Sequence, residues 1–294
     1  MDGAMMTAED LKDYLDGWAP PALVETDPLR PEAADQLRDI LDAQQVQTRG
    51  LPPLWHWGYF TTWPPESDLA ADGHPTEGHF MPPLPNRKRM WAGGTINITG
   101  ELDLDTITTR TATLRDVQFK QGRSGAMALV TVEYLLAQHD HVKVTELQNH
   151  VYRMGDGDTG RTAWGNRPTT QLVSPSPWQF PIRTDPIRLF RMSSLTANSH
   201  RIHYDRAYAQ NVEHYPDLVV HGPLLAMQLA LLAARNAADL ALRTFSYRLQ
   251  NPVFVGEPVL ATGTYDEIAH SAELVVVSDP QTVHASANAT YSQD

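Results

Sequence analysis

Alternating apolar and polar positions mark two regions of the chain that are typical of β-strands. In the first half, strand patterns cover residues 95–99, 126–134 and 142–151. In the second half, they cover residues 242–249, 258–263, 272–277 and 283–291. Because alternation gives a strand one buried face, and polar turns separate the segments, we expect an antiparallel sheet in each half.

Helical patterns precede both sheets. Residues 8–17 follow Thr7, and Asp10 occupies the capping-box position of a helix that begins after this threonine. Residues 31–43 begin with proline and carry apolar residues at helical spacing, which also predicts a helix. Residues 222–234 are apolar on nearly every side, so this predicted helix must be buried all round, and it is too short to cross a membrane.

Two segments have neither pattern. Residues 51–86 contain eight prolines and three tryptophans, which excludes a helix or a central strand and predicts a long loop that packs on its neighbours. Residues 155–185 are rich in Gly, Pro, Ser and Thr and are expected to form a linker. We expect a strand directly after this linker, at Ile187–Met192.

The order of these elements predicts the fold. A wholly buried helix followed by four antiparallel strands indicates a sheet wrapped around a central helix, which is the hot-dog fold. The first half also has helices followed by strands, although the two halves show no sequence repeat. We therefore expect an α+β protein with two hot-dog units, at residues 1–154 and 186–294, joined by the linker 155–185.

Composition narrows the choice of partner and compartment. Lys and Arg number 23 against 35 Asp and Glu, and the net charge of −12 argues against binding nucleic acid through a broad basic face. The sequence has no cysteine, so disulfides, thiolate metal sites and a cysteine nucleophile are excluded. Because neither a secretory signal pattern nor a membrane-length apolar run is found, we expect a cytoplasmic protein with no membrane partner.

Histidines are concentrated in one short region of the second half. Four of the twelve histidines lie between residues 200 and 221: His200, His203, His214 and His221. Histidine titrates near neutral pH, so this region is a candidate for proton transfer, although a hydrogen-bonded turn before a helix is the alternative. A metal site at His200, His203 and Asp205 is not expected, because no helix places the two histidines at i, i+4 spacing.

The sequence around these histidines resembles the signature of (R)-specific enoyl-CoA hydratases in the MaoC-like family. Phe190–Ser193 matches the start of that signature, Ile202–Asp205 matches its end, and Leu218–Gly222 resembles the downstream aliphatic-His-Gly element. With the turn Lys88–Gly94, the layout is similar to the double hot-dog branch that contains hydroxyacyl-thioester dehydratase type 2 and bacterial mesaconyl-CoA hydratases.

The resemblance covers residues 80–151 and 186–291 and implies an acyl-CoA hydratase or dehydratase. It implies that His203 is the general base and that Gly222, at the start of the buried helix, donates its N–H to the thioester oxygen. Asn198 stands where the family has an aspartate, and its amide can hold the water but cannot exchange a proton. Coenzyme A is part of the substrate, and neither a metal nor another cofactor is implied.

Four further residues are candidates for binding the substrate. Arg87 and Arg89 lie in a basic run of an acidic chain, and Arg201 and His221 lie beside the presumed site. Arginine suits the phosphates of coenzyme A or a free carboxylate on the acyl group. A solvated turn is the alternative for the basic run, and simple packing beside the helix start is the alternative for His221.

Three functions remain open at this point. The resemblance favours hydration of a short, methyl-branched dicarboxylic enoyl-CoA such as mesaconyl-C4-CoA or itaconyl-CoA. One alternative is a dehydratase of fatty 3-hydroxyacyl thioesters, and another is a non-catalytic module that binds acyl thioesters. The sequence also leaves open whether the double unit forms a homodimer.

Overall fold

The fold is built from short helices and one large sheet. The computed structural model describes residues 7–45, 50–85, 87–122, 125–154, 170, 172–237 and 239–292. The helices are α1 (Ala8–Tyr14), α2 (Pro31–Ile40), α3 (Pro186–Leu195), α4 (Arg206–Asn211) and α5 (Gly222–Asn236). The strands of the first half are β1 (Leu23–Asp27), β2 (Arg87–Ile98), β3 (Thr108–Gly122), β4 (Gly125–Gln138) and β5 (His141–Met154). Those of the second half are β6 (Gln179–Ile182), β7 (Ala241–Leu249), β8 (Val259–Asp266), β9 (Ser271–Asp279) and β10 (Thr282–Ser292).

The ten strands form one antiparallel sheet that contains the same arrangement twice. The first half has the order β1-β3-β4-β5-β2, and the second half has the equivalent order β6-β8-β9-β10-β7. The two halves join edge to edge where Gly93–Asn97 of β2 pairs with Thr244–Arg248 of β7. The expected double hot-dog is confirmed, and the topology shows the duplication that element order alone suggested.

Helix α5 fills the concave face of the second half. Its residues from Leu224 to Ala233 are all buried, and the helix contacts β7, β8, β9 and β10. Pro223 at the first turn is compatible with a helix start, because the missing N–H would have no intrahelical partner there. The prediction of a helix buried on every side is confirmed.

The concave face of the first half is filled differently. Leu11 and Leu15 pack on the inner side of β3 to β5, with Leu11 supplied by α1. Between α2 and β2, residues 50–85 contain two short 3-10 helices and no long helix like α5. The prolines of this segment lack the N–H groups that a longer helix needs for its hydrogen bonds. The first of these, Trp55–Gly58, is largely buried, so the expectation that the proline-rich segment packs on its neighbours holds for this part.

The sheet extends into the segment interpreted as a linker. Gln179–Ile182 forms β6, which pairs with β8 at the edge of the second half. Residues 155–169 and 171 lie outside the described residues. The proposed division into two units at these boundaries stays a prediction.

The strand expected at Ile187–Met192 is wrong, because this segment belongs to helix α3. Asp185 caps the helix by accepting a hydrogen bond from the Arg188 N–H at 3.1 Å, and Pro186 follows at the first position. This capping signal outweighs the short apolar run that suggested a strand. The helix buries Leu189 and Met192 and leaves Ile187 exposed.

Two substitutions in α3 distinguish the helix from the expected strand. Ile187 and Leu189 would share one face of a strand, but Leu189 is 0% exposed and Ile187 is 72% exposed in the helix. We expect Leu189→Ala to lower the free energy of unfolding by about 2–5 kcal/mol. Ile187→Ala is the matched control, and we expect it to change this energy by about 0.5 kcal/mol or less in urea unfolding. Equal losses in the two variants would contradict the helical assignment.

Candidate active site

The start of helix α5 lies against the histidine-rich segment. The Val219 N–H donates to the Ile202 carbonyl at 2.9 Å, and the Val220 N–H donates to the Val253 carbonyl at 2.8 Å. These bonds fix the short extended segment that leads into the helix. As a result, His203 and Gly222 come together although 18 residues separate them in the sequence.

His203 ends a 3-10 helix, Arg201–His203, and its ring is buried. Its Nδ1 lies 2.7 Å from the Val219 carbonyl oxygen. A carbonyl can only accept, so Nδ1 carries the hydrogen and Nε2 holds the free lone pair. Burial lowers the pKa of His203 to about 4, against the opposing effect of the Val219 hydrogen bond, so the ring is neutral at neutral pH.

Other imidazole rings surround His203. The ring of His221 stacks on it with centroids 3.7 Å apart, and the ring of His200 meets it edge-on at 5.6 Å. Burial holds the pKa of both His200 and His221 well below the ordinary value. His214, the fourth histidine of the sequence cluster, is exposed and lies on the turn after α4.

His221 is buried and only partly satisfied by protein groups. Its Nε2 lies 2.9 Å from the Ser193 hydroxyl of α3. Its Nδ1 is buried and has no hydrogen-bond partner among the described residues. A buried ring nitrogen without a partner is a polar atom that a water molecule or a substrate group can satisfy.

Asn198 is positioned by two local hydrogen bonds. Its backbone N–H donates to the Ser193 carbonyl at 2.9 Å, and its Oδ1 accepts from the His200 N–H at 3.1 Å. With Oδ1 used in this way, the Nδ2 amide hydrogens are the donors available to a ligand. The side chain is partly buried within the histidine-rich segment, five residues before His203.

The Gly222 N–H is a free donor at the start of α5. The next residue, Pro223, has no N–H, and the Leu224 N–H bonds back to the His221 carbonyl at 3.1 Å. In the described part of the chain, no backbone acceptor is recorded for the Gly222 N–H. A β-carbon on Gly222 would lie 2.6 Å from Cδ1 of Leu249, so only glycine fits beside β7 without a shift.

The proline-rich segment contributes residues that the sequence analysis missed. The His74 ring contacts the His200 ring in a tilted arrangement with centroids 3.9 Å apart, and its Nδ1 lies 3.1 Å from Oδ2 of Asp72. The Arg201 N–H donates to the Asp72 carbonyl at 2.8 Å, which fixes the two segments together. The only local signal is the turn sequence Asp72-Gly73-His74, and nothing in its spacing connects it to His200.

The described residues contain one cluster with metal-ligating groups. One candidate ligand atom each from Asp72, His74 and His200 lie within 4.8 Å of one another. This is a different set from the His200, His203 and Asp205 considered in the sequence. Asp205 is committed elsewhere, because it caps α4 and pairs with Arg201 at 2.7 Å.

The three candidate arginines differ in their hydrogen-bond partners. Arg201 donates to Asp205 and to the Ala71 carbonyl and covers the ring of Tyr208 at 4.0 Å. The Arg87 guanidinium donates to the carbonyls of Thr76 and Leu84. These two arginines therefore hold the proline-rich segment, and the third, Arg89, does not.

Arg89 lies at the end of a polar row on the concave face of the first half. Its Nη2 is 3.5 Å from Nδ1 of His150, and His150 is followed along β5 by the inward-facing Gln148 and Glu146. The aromatic residues next to this row are Trp57, Trp91 and Tyr247. Nothing in the sequence indicates this row, because β5 has the alternating pattern of an ordinary strand.

Two solved structures that share this fold are described by name. A MaoC-like dehydratase from Phytophthora capsici superposes with a TM-score of 0.66, at 14% identity over 96% of this chain and 99% of that one. HtdX of Mycobacterium tuberculosis superposes with a TM-score of 0.63, at 14% identity over 92% and 100% of the two chains. The fold is that of the MaoC-like double hot-dog dehydratases.

Sequence relatives define the family more closely. A family model of hydroxyacyl-thioester dehydratase type 2 matches residues 54–255. Mesaconyl-C(4)-CoA hydratase of Chloroflexus aurantiacus is 42% identical over 213 residues, which are 69% of this chain and 71% of the relative. The mitochondrial hydroxyacyl-thioester dehydratase type 2 of Schizosaccharomyces pombe is 26% identical over 276 residues, covering 85% and 87%.

The chain therefore belongs to the hydroxyacyl-thioester dehydratase type 2 family, as the resemblance in the sequence implied. It is a hydro-lyase of the acyl-thioester hydratase and dehydratase type. No helix in the described residues is both long and apolar enough to span a membrane. The cytoplasmic location and the homodimer stay predictions.

A substitution at Gly73 tests whether the contact between the proline-rich segment and the histidine-rich segment stabilises the protein. Its φ is +88°, and a β-carbon would lie 1.9 Å from the Ser199 carbonyl oxygen. Gly17 has a similar φ of +72° with nothing within 4 Å, so Gly17→Ala measures the conformational cost alone, about 1 kcal/mol. We expect Gly73→Ala to lower the unfolding temperature clearly more than Gly17→Ala. Equal shifts would show that this contact adds nothing to stability.

Proposed function

We propose that this protein adds water reversibly across the α,β double bond of an enoyl-CoA thioester. His203 takes a proton from water through Nε2, and the water oxygen bonds to the β-carbon. The electron pair of the double bond moves toward the thioester carbonyl, whose oxygen becomes negative. The same imidazole then returns its proton to the α-carbon, so atoms and charges balance and the ring ends neutral.

The observation that carries this proposal is the tautomer of His203. Because Nδ1–H is committed to the Val219 carbonyl at 2.7 Å, the basic nitrogen is Nε2. The low pKa caused by burial keeps that nitrogen unprotonated at neutral pH. A general base must have an unprotonated lone pair in order to accept a proton from water.

Two neighbours complete the proposed chemistry. Asn198 donates from Nδ2 to the attacking water and orients it, but it cannot carry a proton, so the proton route runs through His203 alone. Gly222 offers an N–H at the positive end of the α5 dipole to the developing charge on the thioester oxygen. His221 supports His203 by ring stacking, and we propose that its free Nδ1 contacts water or substrate in the complex.

The proposed substrate class is a short dicarboxylic enoyl-CoA, such as mesaconyl-C4-CoA or itaconyl-CoA. The support is the 42% identity to a relative named mesaconyl-C(4)-CoA hydratase. The relative from S. pombe, at 26% identity, gives the alternative of a 3-hydroxyacyl-thioester dehydratase. The Trp57, Trp91 and Tyr247 side chains pack against one another on the concave face near β7, which favours a short acyl group over a long one. A non-catalytic module is not favoured, since His203, His221 and Gly222 are assembled together.

Removal of the His203 ring tests the base. We expect His203→Ala to lower kcat at least about a hundredfold with little change in KM, because the ring acts only on the reacting water. Loss of the enoyl-thioester absorbance would be followed with crotonyl-CoA, mesaconyl-C4-CoA, itaconyl-CoA and a medium-chain enoyl-CoA. His214→Ala, at an exposed histidine of the same sequence cluster, is the matched control and should retain activity. A His203→Ala variant with near-normal turnover would refute the assignment.

The pH dependence of kcat/KM gives an independent test. The lowered pKa of His203, about 4, means that the base becomes protonated only as the pH falls through that region. We therefore expect kcat/KM to be level from pH 8 to about pH 5 and to fall about tenfold per pH unit below the pKa. A histidine with an ordinary pKa of about 6.5 would already lose activity near pH 6. Brief assays at low pH, followed by return to pH 7, separate protonation of His203 from unfolding of the protein. A decline in kcat/KM that starts near pH 6.5 would contradict the lowered pKa of this buried histidine.

A further inference from the structure

The polar row on β5 has a fixed direction of hydrogen bonding. Glu146 Oε1 accepts from Gln148 Nε2 at 2.9 Å, so the Gln148 Oε1 faces His150 Nε2 at 3.3 Å. An amide oxygen can only accept, so Nε2 of His150 carries the hydrogen and its Nδ1 is a lone pair. That lone pair faces Nη2 of Arg89 at 3.5 Å. Hydrogen bonds therefore run in one direction from Arg89 to Glu146.

Glu146 anchors this row. It is 1% exposed, and its two carboxylate oxygens also accept from His56 Nε2 at 2.7 Å and from Trp57 Nε1 at 2.9 Å. A buried carboxylate that accepts hydrogen bonds from this many donors is fixed in position. The row is therefore rigid at the Glu146 end and open only at Arg89, which is exposed.

The described residues of β10 do not form such a row in the second half of the fold. In the duplicated topology β10 is the counterpart of β5, and its buried alternating positions are apolar: Ala285, Ala287, Ala289 and Tyr291. The hot-dog sheet therefore folds with an apolar strand at this place. Buried polar side chains are costly unless they are fully bonded, so a polar row here points to a ligand rather than to the fold.

A series of side-chain contacts joins the row to the proposed position of the thioester. Trp91 connects the two, because its ring lies 5.2 Å from that of His150 and its Nε1 donates to the Tyr247 hydroxyl at 3.0 Å. Tyr247 and Leu249 are successive inward-facing positions of β7, about 7 Å apart along the strand. Leu249 is the residue in contact range of Gly222. A short acyl group with its carbonyl at the Gly222 N–H would therefore extend toward Arg89.

Among the described residues, no acidic side chain forms an ion pair with Arg89. Its recorded polar contact in the described residues is His150, and burial together with the Arg89 charge keeps the pKa of that imidazole well below its ordinary value. Arg87 and Arg201, in contrast, are committed to protein acceptors. An exposed guanidinium with a neutral neighbour is suited to a carboxylate, which it can bind in bidentate fashion.

We propose that Arg89 is the residue that selects dicarboxylic acyl groups, by binding the free carboxylate at the far end of the acyl chain, and that His150, Gln148 and Glu146 position its guanidinium. This inference rests on the proposed function for the place of the thioester. Beyond that function, it assigns substrate specificity to Arg89 and identifies the free carboxylate of the acyl group as what Arg89 recognises.

The test measures binding with two unreactive ligands, so it does not depend on turnover. Succinyl-CoA and butyryl-CoA share the coenzyme and the chain length, have no double bond, and differ in the terminal carboxylate. By calorimetry we expect the wild-type protein to bind succinyl-CoA more tightly, and Arg89→Gln to reduce the preference at least about tenfold. Butyryl-CoA should bind the variant within about threefold of the wild type.

Lys88→Gln is the matched control, because it removes the neighbouring positive charge, which pairs with Glu213 at 3.2 Å. We expect it to affect both ligands alike. If Arg89→Gln weakens both ligands equally, Arg89 binds coenzyme A and the proposal is overturned. It is also overturned if the preference survives in this variant or is absent from the wild type. A different outcome is also informative: the wild-type protein fails to hydrate any enoyl-CoA, but still prefers succinyl-CoA in a way that depends on Arg89. That result would refute the proposed reaction and support the assignment of Arg89 as the specificity residue.

Discussion

The edge-to-edge pairing of β2 with β7 is the constraint on which the candidate site depends. This pairing places the concave faces of the two halves side by side, so that Trp91 of one half donates to Tyr247 of the other at 3.0 Å. It requires a small residue at Gly94, where a β-carbon would lie 2.4 Å from the Leu147 carbonyl oxygen and 2.7 Å from the Tyr247 hydroxyl.

The two halves have diverged in what their concave faces contain. The second half retains an apolar helix whose start presents a free N–H, whereas the first half has α1 and a proline-rich segment in its place. Prolines prevent a long helix there, and the space is taken by aromatic rings and a bonded polar row around Glu146. In the proposed function, the second half supplies the reacting groups, and the first half supplies the surface that distinguishes substrates.

The elements that could be predicted from the sequence are those in which the order of apolar and polar residues follows from which side of the element is buried. Seven strands and helix α5 were found because alternation or uniform apolarity follows from contact with a core. Strand β3 was not predicted, because its apolar alternation at Ala112 and Leu114 is out of phase with that at Val117 and Phe119. The register shift between Leu114 and Asp116 causes this change of phase. Likewise, His203 and Gly222 lie in one recognisable segment, while Asp72, His74 and the row from Glu146 to Arg89 meet the site only through tertiary contacts.

The burial of the imidazole rings around His203 also has a consequence for the fold in acid. In the unfolded chain these histidines accept protons at an ordinary pKa of about 6.5, whereas burial holds the pKa of His200, His203 and His221 lower in the folded chain. As the pH falls below 6.5, the unfolded state therefore binds more protons than the folded state, and the free energy of unfolding decreases. The stacked rings share this effect, since a charge on one raises the cost of a charge on the next. The burial that keeps the His203 ring neutral at neutral pH thus also lowers the stability of the folded protein in acid.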